Sequence, residues 1–88
     1  AITVNGDARI GKNCSLHGMN CIGNNGIDNN APVIGDNVDI GVGASVIGGV
    51  KLADNIKIGA GAVVISDCER EGEILVGVPA KSAQKKRG

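Results

Sequence analysis

The chain has a single histidine, His17, in the stretch Ser15-Leu16-His17-Gly18-Met19-Asn20. Imidazole titrates near neutrality, so a histidine held at a surface corner can take the proton from an attacking hydroxyl and serve as a general base. Two cysteines flank it as Cys14-x-x-His17-x-x-x-Cys21, and Cys and His are zinc ligands. A structural zinc wants four ligands, and no fourth candidate stands nearby. The three positions also fall at different phases of a six-residue repeat and so face different sides. The segment is therefore read as holding no metal. Gly41-x-Gly43 lacks the third glycine and the strand–helix setting of a dinucleotide-binding turn.

The repeat is what must position these groups. Val4, Ile10, Leu16, Ile22, Ile34, Ile40, Val46, Leu52, Ile58, Val64 and Val76 share one register modulo six. A glycine often follows: Gly11, Gly23, Gly35, Gly41, Gly59. A small or β-branched residue often falls four places on: Ala8, Cys14, Val38, Ala44, Val50, Ile56, Ala62. Six is not a helical period, and a repeat this short marks a β-solenoid in which each hexad makes one strand and one turn. Three hexads close a triangular coil of eighteen residues. His17 follows a repeat residue, which puts it at a corner and not in the core.

Eighty-eight residues allow one domain. A globule of that size buries only about 60% of its unfolded surface, whereas stacked coils bury their aliphatics against one another and need no thick core. There is no Phe, Tyr or Trp, so aliphatics must fill the prism. Nine acidic and nine basic residues balance, which removes any bulk attraction to nucleic acid or an anionic membrane. Lys81, Lys85, Lys86 and Arg87 form a basic tail over 81–88, read as solvated. Three cysteines do not resemble a disulfide framework, and Cys14, at an inward small-residue position, is expected to be a buried thiol. With no signal peptide and no long apolar run, a soluble cytoplasmic protein without a membrane span is expected.

Stacking at a constant eighteen predicts three columns: Val4, Ile22, Ile40, Ile58, Val76; Leu16, Ile34, Leu52; and Ile10, Asp28, Val46, Val64. Only Asp28 breaks the pattern, and a buried unpaired carboxylate costs several kcal/mol or more. Residues 24–33 are therefore expected to leave the prism as a loop, with Ile27 or Val33 filling the gap. Asn24-Asn25-Gly26, Asp28-Asn29-Asn30 and Pro32 are turn formers and agree with this. The alternative keeps this hexad in phase, with Asp28 hydrogen-bonded at a corner. Gly48-Gly49 reads as a bend in a strand. After Val64 the register decays through a polar stretch, and 74–80 reads as an extended segment closing a domain of 1–80. Ile2-Thr3-Val4 opens in register with no cap, and an open coil exposes strand edges. The expectation is the C-terminal part of a longer protein, or a neighbouring chain over that end.

Several stretches together resemble the hexapeptide-repeat acyltransferases, and most of all the serine acetyltransferases and related bacterial O-acetyltransferases of cell-surface sugars. They are Ile10-Gly11-Lys12-Asn13-Cys14, Ile22-Gly23-Asn24-Asn25-Gly26, Ala31-Pro32-Val33-Ile34-Gly35-Asp36-Asn37-Val38, Ile40-Gly41-Val42-Gly43-Ala44, Ile58-Gly59-Ala60-Gly61-Ala62-Val63-Val64 and Val76-Gly77-Val78-Pro79-Ala80-Lys81. The resemblance covers about residues 2–82. It implies an all-β, left-handed parallel β-helix, against the usual right-handed crossover. It implies a homotrimer with active sites between prisms and acetyl-CoA lying in the groove.

Carried over residue by residue, the resemblance places Val42 and Ala60 along the pantetheine arm, Ile65 and Ser66 at another CoA contact, and Lys81 against the CoA phosphates, where a cation suits. The implied reaction is direct acyl transfer to a hydroxyl, with a histidine base and backbone N–H groups stabilising the oxyanion. In serine acetyltransferases the base belongs to a His-x-x-Gly stretch whose register falls just upstream of Ala1, one coil below His17. Three readings of His17 stay open: the base itself, a pocket residue beside an upstream base, or a surface histidine. Asn24, Asn25, Asp28 and Asn29 are the candidate acceptor-holding residues. Serine-specific members carry Asp, Arg and His in this loop, whereas here no Arg is present to clamp a carboxylate bidentately. A small hydroxyl acceptor such as serine, a cell-surface sugar, and a non-catalytic scaffold are therefore the functions to weigh.

Overall fold

The structure, a computed structural model, describes residues 2–27 and 30–83. Its strands are β1 (Ile2–Val4), β2 (Arg9–Ile10), β3 (Ser15–Leu16), β4 (Asn20–Gly23), β5 (Val33–Ile34), β6 (Asp39–Ile40), β7 (Ser45–Ile47), β8 (Lys51–Leu52), β9 (Lys57–Ile58), β10 (Val63–Val64), β11 (Ile74–Val76) and β12 (Lys81–Ser82). They form three sheets: a first face β1-β4-β7-β10, a second face β2-β5-β8, and a third face β3-β6-β9-β11-β12. Successive strands visit the three faces in turn, and each pairs in parallel with the strand one coil on; the exception is the antiparallel β11–β12 pair. This is the expected parallel β-helix. No helix among the described residues is long and apolar enough to cross a membrane.

The repeat dictates this arrangement because side chains alternate across a strand. The repeat residue and the residue four places on point inward, and Ile22, Ile40, Val46, Val38, Ile56 and Val64 are fully buried. Burying each such side chain stabilises the fold by about 1.5–3 kcal/mol. The glycine after the repeat residue makes room for the next coil: a Cβ on Gly35 would stand 2.3 Å from Asp54 Oδ1, the oxygen that accepts from Asp36 N at 2.7 Å. At the second-to-third-face and third-to-first-face corners the third residue after the repeat residue is left-handed, with φ of 60°, 60° and 63° at Asn13, Asn37 and Asn55 and 75° and 73° at Gly43 and Gly61. Asn and Gly are the residues that visit this region at low cost.

Two offsets govern the stacking. Ile34 pairs with Leu52, Ile40 with Ile58 and Val46 with Val64, each eighteen residues apart. Ile10 pairs with Ile34, Leu16 with Ile40 and Ile22 with Val46, each twenty-four apart. One whole hexad therefore leaves the coil after β4, as the loop expectation requires. The columns drawn at a constant eighteen are corrected: they run Val4, Ile22, Val46, Val64; then Ile10, Ile34, Leu52; then Leu16, Ile40, Ile58, Leu75. No gap arises, so neither Ile27, 87% exposed, nor Val33, on the outer surface, fills one. Asp28 and Asn29 lie outside the described residues. Gly48-Gly49 is the loop's seat as well as a bend: a Cβ at Gly49 would stand 2.7 Å from Asn30 Cβ.

Two further expectations change. Cys14 is half-buried, because its coil is stacked on one side only among the described residues; its Sγ lies 3.2 Å from Gly35 O. At the other end, Ile58 pairs with Leu75 at seventeen residues, so Leu75 (5% exposed) points inward and Val76 (43%) does not. The closing segment is not simply extended: β11 turns through 77–80 and returns as β12, which takes Lys81 and Ser82 out of the expected tail.

Ile40→Ala, at a fully buried site, should lower unfolding free energy by about 2–5 kcal/mol in urea titration. Val42→Ala, on the outer surface two residues away, should change it by less than about 0.5 kcal/mol.

Candidate active site

The corner between the third and first faces is built from His17-Gly18-Met19, Gly41-Val42-Gly43, Gly59-Ala60-Gly61 and Val76-Gly77. Backbone bonds stack these turns: Gly43 N donates to Gly18 O (2.9 Å), Gly61 N to Val42 O (2.9 Å) and Val63 N to Gly77 O (3.0 Å). The structure thus brings His17, Val42 and Ala60 onto one edge of the prism, on successive coils, all exposed to solvent. Lys81 pairs with Val76, on the coil beyond Ala60, and continues the same run.

The other predicted residues lie across the first face. Asn24 and Asn25 leave the next corner, where Gly48 N donates to Gly23 O (2.8 Å), and Ile65 and Ser66 occupy that corner at the end of β10. Between the two corners the outward positions are small: Thr3, Cys21, Ser45 and Val63, in register. His17 and Asn24 therefore flank one face without sharing a corner. Ser66 and Lys81, predicted separately, line a single open cleft of about 270 Å³ at the closing end, together with Asp67, Cys68, Arg70 and Glu73. Glu73 is buried and accepts hydrogen bonds from Ser82 Oγ (2.5 Å) and Arg70 Nη1 (3.4 Å). Asp28 and Asn29, assigned to the acceptor loop, fall outside the described residues.

Three residues that sequence reasoning passed over shape the His17 corner. His17 Nε2 contacts Asp39 Oδ1 on the next coil. Their spacing becomes meaningful only when the extruded hexad is counted, since β3 meets β6 through Ser15 and Asp39. Asn20 takes the inward place four residues after Leu16, where the repeat elsewhere has a small or β-branched residue, and it is buried. Its Oδ1 accepts from Gly18 N, and its Nδ2 donates to Gly41 O and Ala44 O, all at 2.9 Å. A buried amide satisfied on both sides pins the turn that carries His17 to the next coil. Met19, with φ of 53°, stands in the left-handed place that Asn fills at the second-to-third-face corners.

No protein-family model and no curated protein sequence matches this chain. Solved structures do. Soybean serine acetyltransferase, as the apoenzyme, matches with a TM-score of 0.87 and 36% identity, over 93% of this chain and 34% of that one. Serine acetyltransferase of Neisseria gonorrhoeae in complex with serine matches at 0.86 and 36%, over 94% of this chain and 34% of that one. Serine acetyltransferase of Brucella abortus in complex with coenzyme A, at 24% identity and TM-score 0.74 over 91% of this chain and 40% of that one, shares the fold. The chain spans about a third of the length of the first two.

Asn20→Ala removes three hydrogen bonds and should cost about 1–3 kcal/mol in denaturant unfolding. Met19→Asn relieves the left-handed backbone and should raise stability by about 1 kcal/mol in the same measurement.

Proposed function

We propose, on the premise that this chain carries the left-handed parallel β-helix of the hexapeptide-repeat acyltransferases, that the protein is an acetyl-CoA-dependent O-acetyltransferase acting on a hydroxyl of serine or a similar small acceptor. The observation that carries the proposal is the run of His17, Val42, Ala60 and Lys81 along one edge. An extended thioester carrier can lie there with its reacting end at the imidazole and its anionic end at the ammonium. The solved serine complex of the Neisseria protein supports serine as one acceptor of this fold.

In this reading the imidazole of His17 removes the acceptor's hydroxyl proton as the oxygen attacks the thioester carbonyl. The tetrahedral oxyanion is stabilised by backbone N–H groups. The C–S bond then breaks, and the proton passes from imidazole to the departing thiolate. Val42 and Ala60 are short enough to leave the edge open while walling the pantetheine arm from water. Lys81 meets phosphate as a point charge. Ile65 and Ser66 reach the carrier from the neighbouring corner, which a second prism packed in a soluble cytoplasmic homotrimer would bring alongside. The loop with Asn24, Asn25, Asp28 and Asn29 supplies amides and a carboxylate to the acceptor. Its lack of arginine favours a second reading for the acceptor, a hydroxyl of a cell-surface sugar, because a free amino acid's carboxylate would find no bidentate partner there.

The full-length protein should release CoA thiol from acetyl-CoA when given L-serine or an amino sugar. Absence of CoA binding would overturn the reading. His17→Ala should lower kcat by about a hundredfold or more if His17 is the base. A raised KM at constant kcat would make it a pocket residue beside an upstream base, and unchanged constants would leave it a surface histidine. Lys81→Ala should raise KM for acetyl-CoA roughly tenfold with kcat unchanged, the pattern of lost uniform binding.

A further inference from the structure

The contact between His17 and Asp39 joins side chains on adjacent coils, and the reaction as described makes no use of it. Both ends are fixed by backbone bonds: His17 N donates to Ile40 O (3.0 Å) and Asp39 N to Ile56 O (2.9 Å). β3 and β6 are in register at Ser15 and Asp39, and Asn20 ties down the turn that follows His17. The pair is half-exposed, with side chains 52% and 44% accessible. Ion pairs so placed contribute about 0–1 kcal/mol to stability, so folding gives little reason for it.

An ionised carboxylate only accepts hydrogen bonds, and a neutral imidazole carries its proton on one nitrogen alone. The nitrogen that meets Asp39 is Nε2, so in a neutral ring this contact calls for the hydrogen on Nε2 and leaves Nδ1 bare. We infer that Asp39 is the positioning residue of His17. It sets the tautomer and the ring orientation so that Nδ1 is the nitrogen that takes the acceptor's proton. The inference rests on the acetyltransferase reading for the step it serves; the tautomer it assigns does not. The acceptor's O–H bond breaks, its proton goes to Nδ1, and its electron pair forms the new C–O bond. The resulting imidazolium keeps its Nε2–H on Asp39 until Nδ1 hands the proton to the departing sulfur. Asp39 itself takes no proton.

Within these 88 residues His17 is the only histidine, and in the full-length protein its imidazole nitrogen signals are identified as those that disappear in His17→Ala. In ¹⁵N-labelled wild-type protein, long-range ¹H–¹⁵N spectra at a pH where the ring is neutral should show a protonated Nε2 and a bare Nδ1. Asp39→Asn keeps an acceptor oxygen and should retain this pattern, whereas Asp39→Ala should give a mixture of tautomers. In the full-length protein Asp39→Ala should lower kcat by about tenfold or more while KM for either substrate moves less than about threefold. The same change in a His17→Ala background should cost nothing further, since the two act as one unit. A bare Nε2 in the wild type, an unchanged tautomer in Asp39→Ala, or a kcat loss that persists without His17 would each overturn the inference. Wild-type protein with the expected signature but no acetyl transfer would overturn the acetyltransferase reading instead, and with it the role of Nδ1.

Discussion

Strands of two to four residues cannot hold themselves together, and in this chain all but β12 find hydrogen-bond partners one coil away. Arg9 N donates to Pro32 O, Ser15 N to Val38 O, Val33 N to Val50 O and Ser45 N to Ala62 O, all at 2.8–3.0 Å. Backbone groups shielded from water must be paired, so this ladder admits one register per coil. The register decides which aliphatics meet inside, which corners stack, and which side chains face each other across coils. Burial supplies the bulk of the stability, but the ladder turns a list of residues six apart into a geometry. The edge that carries His17, Val42, Ala60 and Lys81 takes its order from this ladder, with the Asn20 side chain adding three bonds at the His17 turn.

Much of this was legible in the sequence, and the part that was not has a common cause. The sixfold aliphatic pattern gave the strands, the inward places and the corner position of His17. Turn-forming residues and the lone Asp28 gave the loop. What failed was arithmetic across the loop. A constant coil of eighteen sets Leu16 beneath Ile34, whereas the extruded hexad sets it beneath Ile40, and every pairing between the coils on either side of the loop moves with it. Asp39 went unnoticed as the partner of His17 for that reason alone. A signal did exist: asparagine or glycine three places after the repeat residue, at Asn13, Asn37, Gly43, Asn55 and Gly61, marks the left-handed turn of the corners that bound the third face. Asn20 was hidden differently, since a polar residue at an inward place is interpretable only when its three partners are known.

The His17 corner departs from the rest of the prism in two ways. At Asn13, Asn37 and Asn55 an asparagine takes the left-handed position; here a methionine does, which costs about 1–2 kcal/mol. Where the core elsewhere is aliphatic, a buried amide bonds three backbone groups. Strain and a satisfied polar network together make a turn with one conformation, the rigid support that the proton transfer proposed for His17 would need. The opposite corner works differently. It releases a hexad to solvent and keeps its own course with Gly48 and Gly49, so the loop can vary in sequence while the prism beneath it stays the same.

The return strand β12 bears on how this molecule meets copies of itself. Parallel coils offer an incoming chain a ready template on each face, and end-to-end growth into fibres is the standing hazard of such a shape. At the closing end β12 runs against the direction of its sheet, Ala80 and Gly77 occupy the margin of β10, and Cys68 occupies that of β8. Among the described residues, an arriving prism would find no continuous row of amides in the right sense on any of the three sides. The closing end of the described residues therefore opposes end-to-end growth both by the direction of β12 and by the segments that cover the margins of β8 and β10.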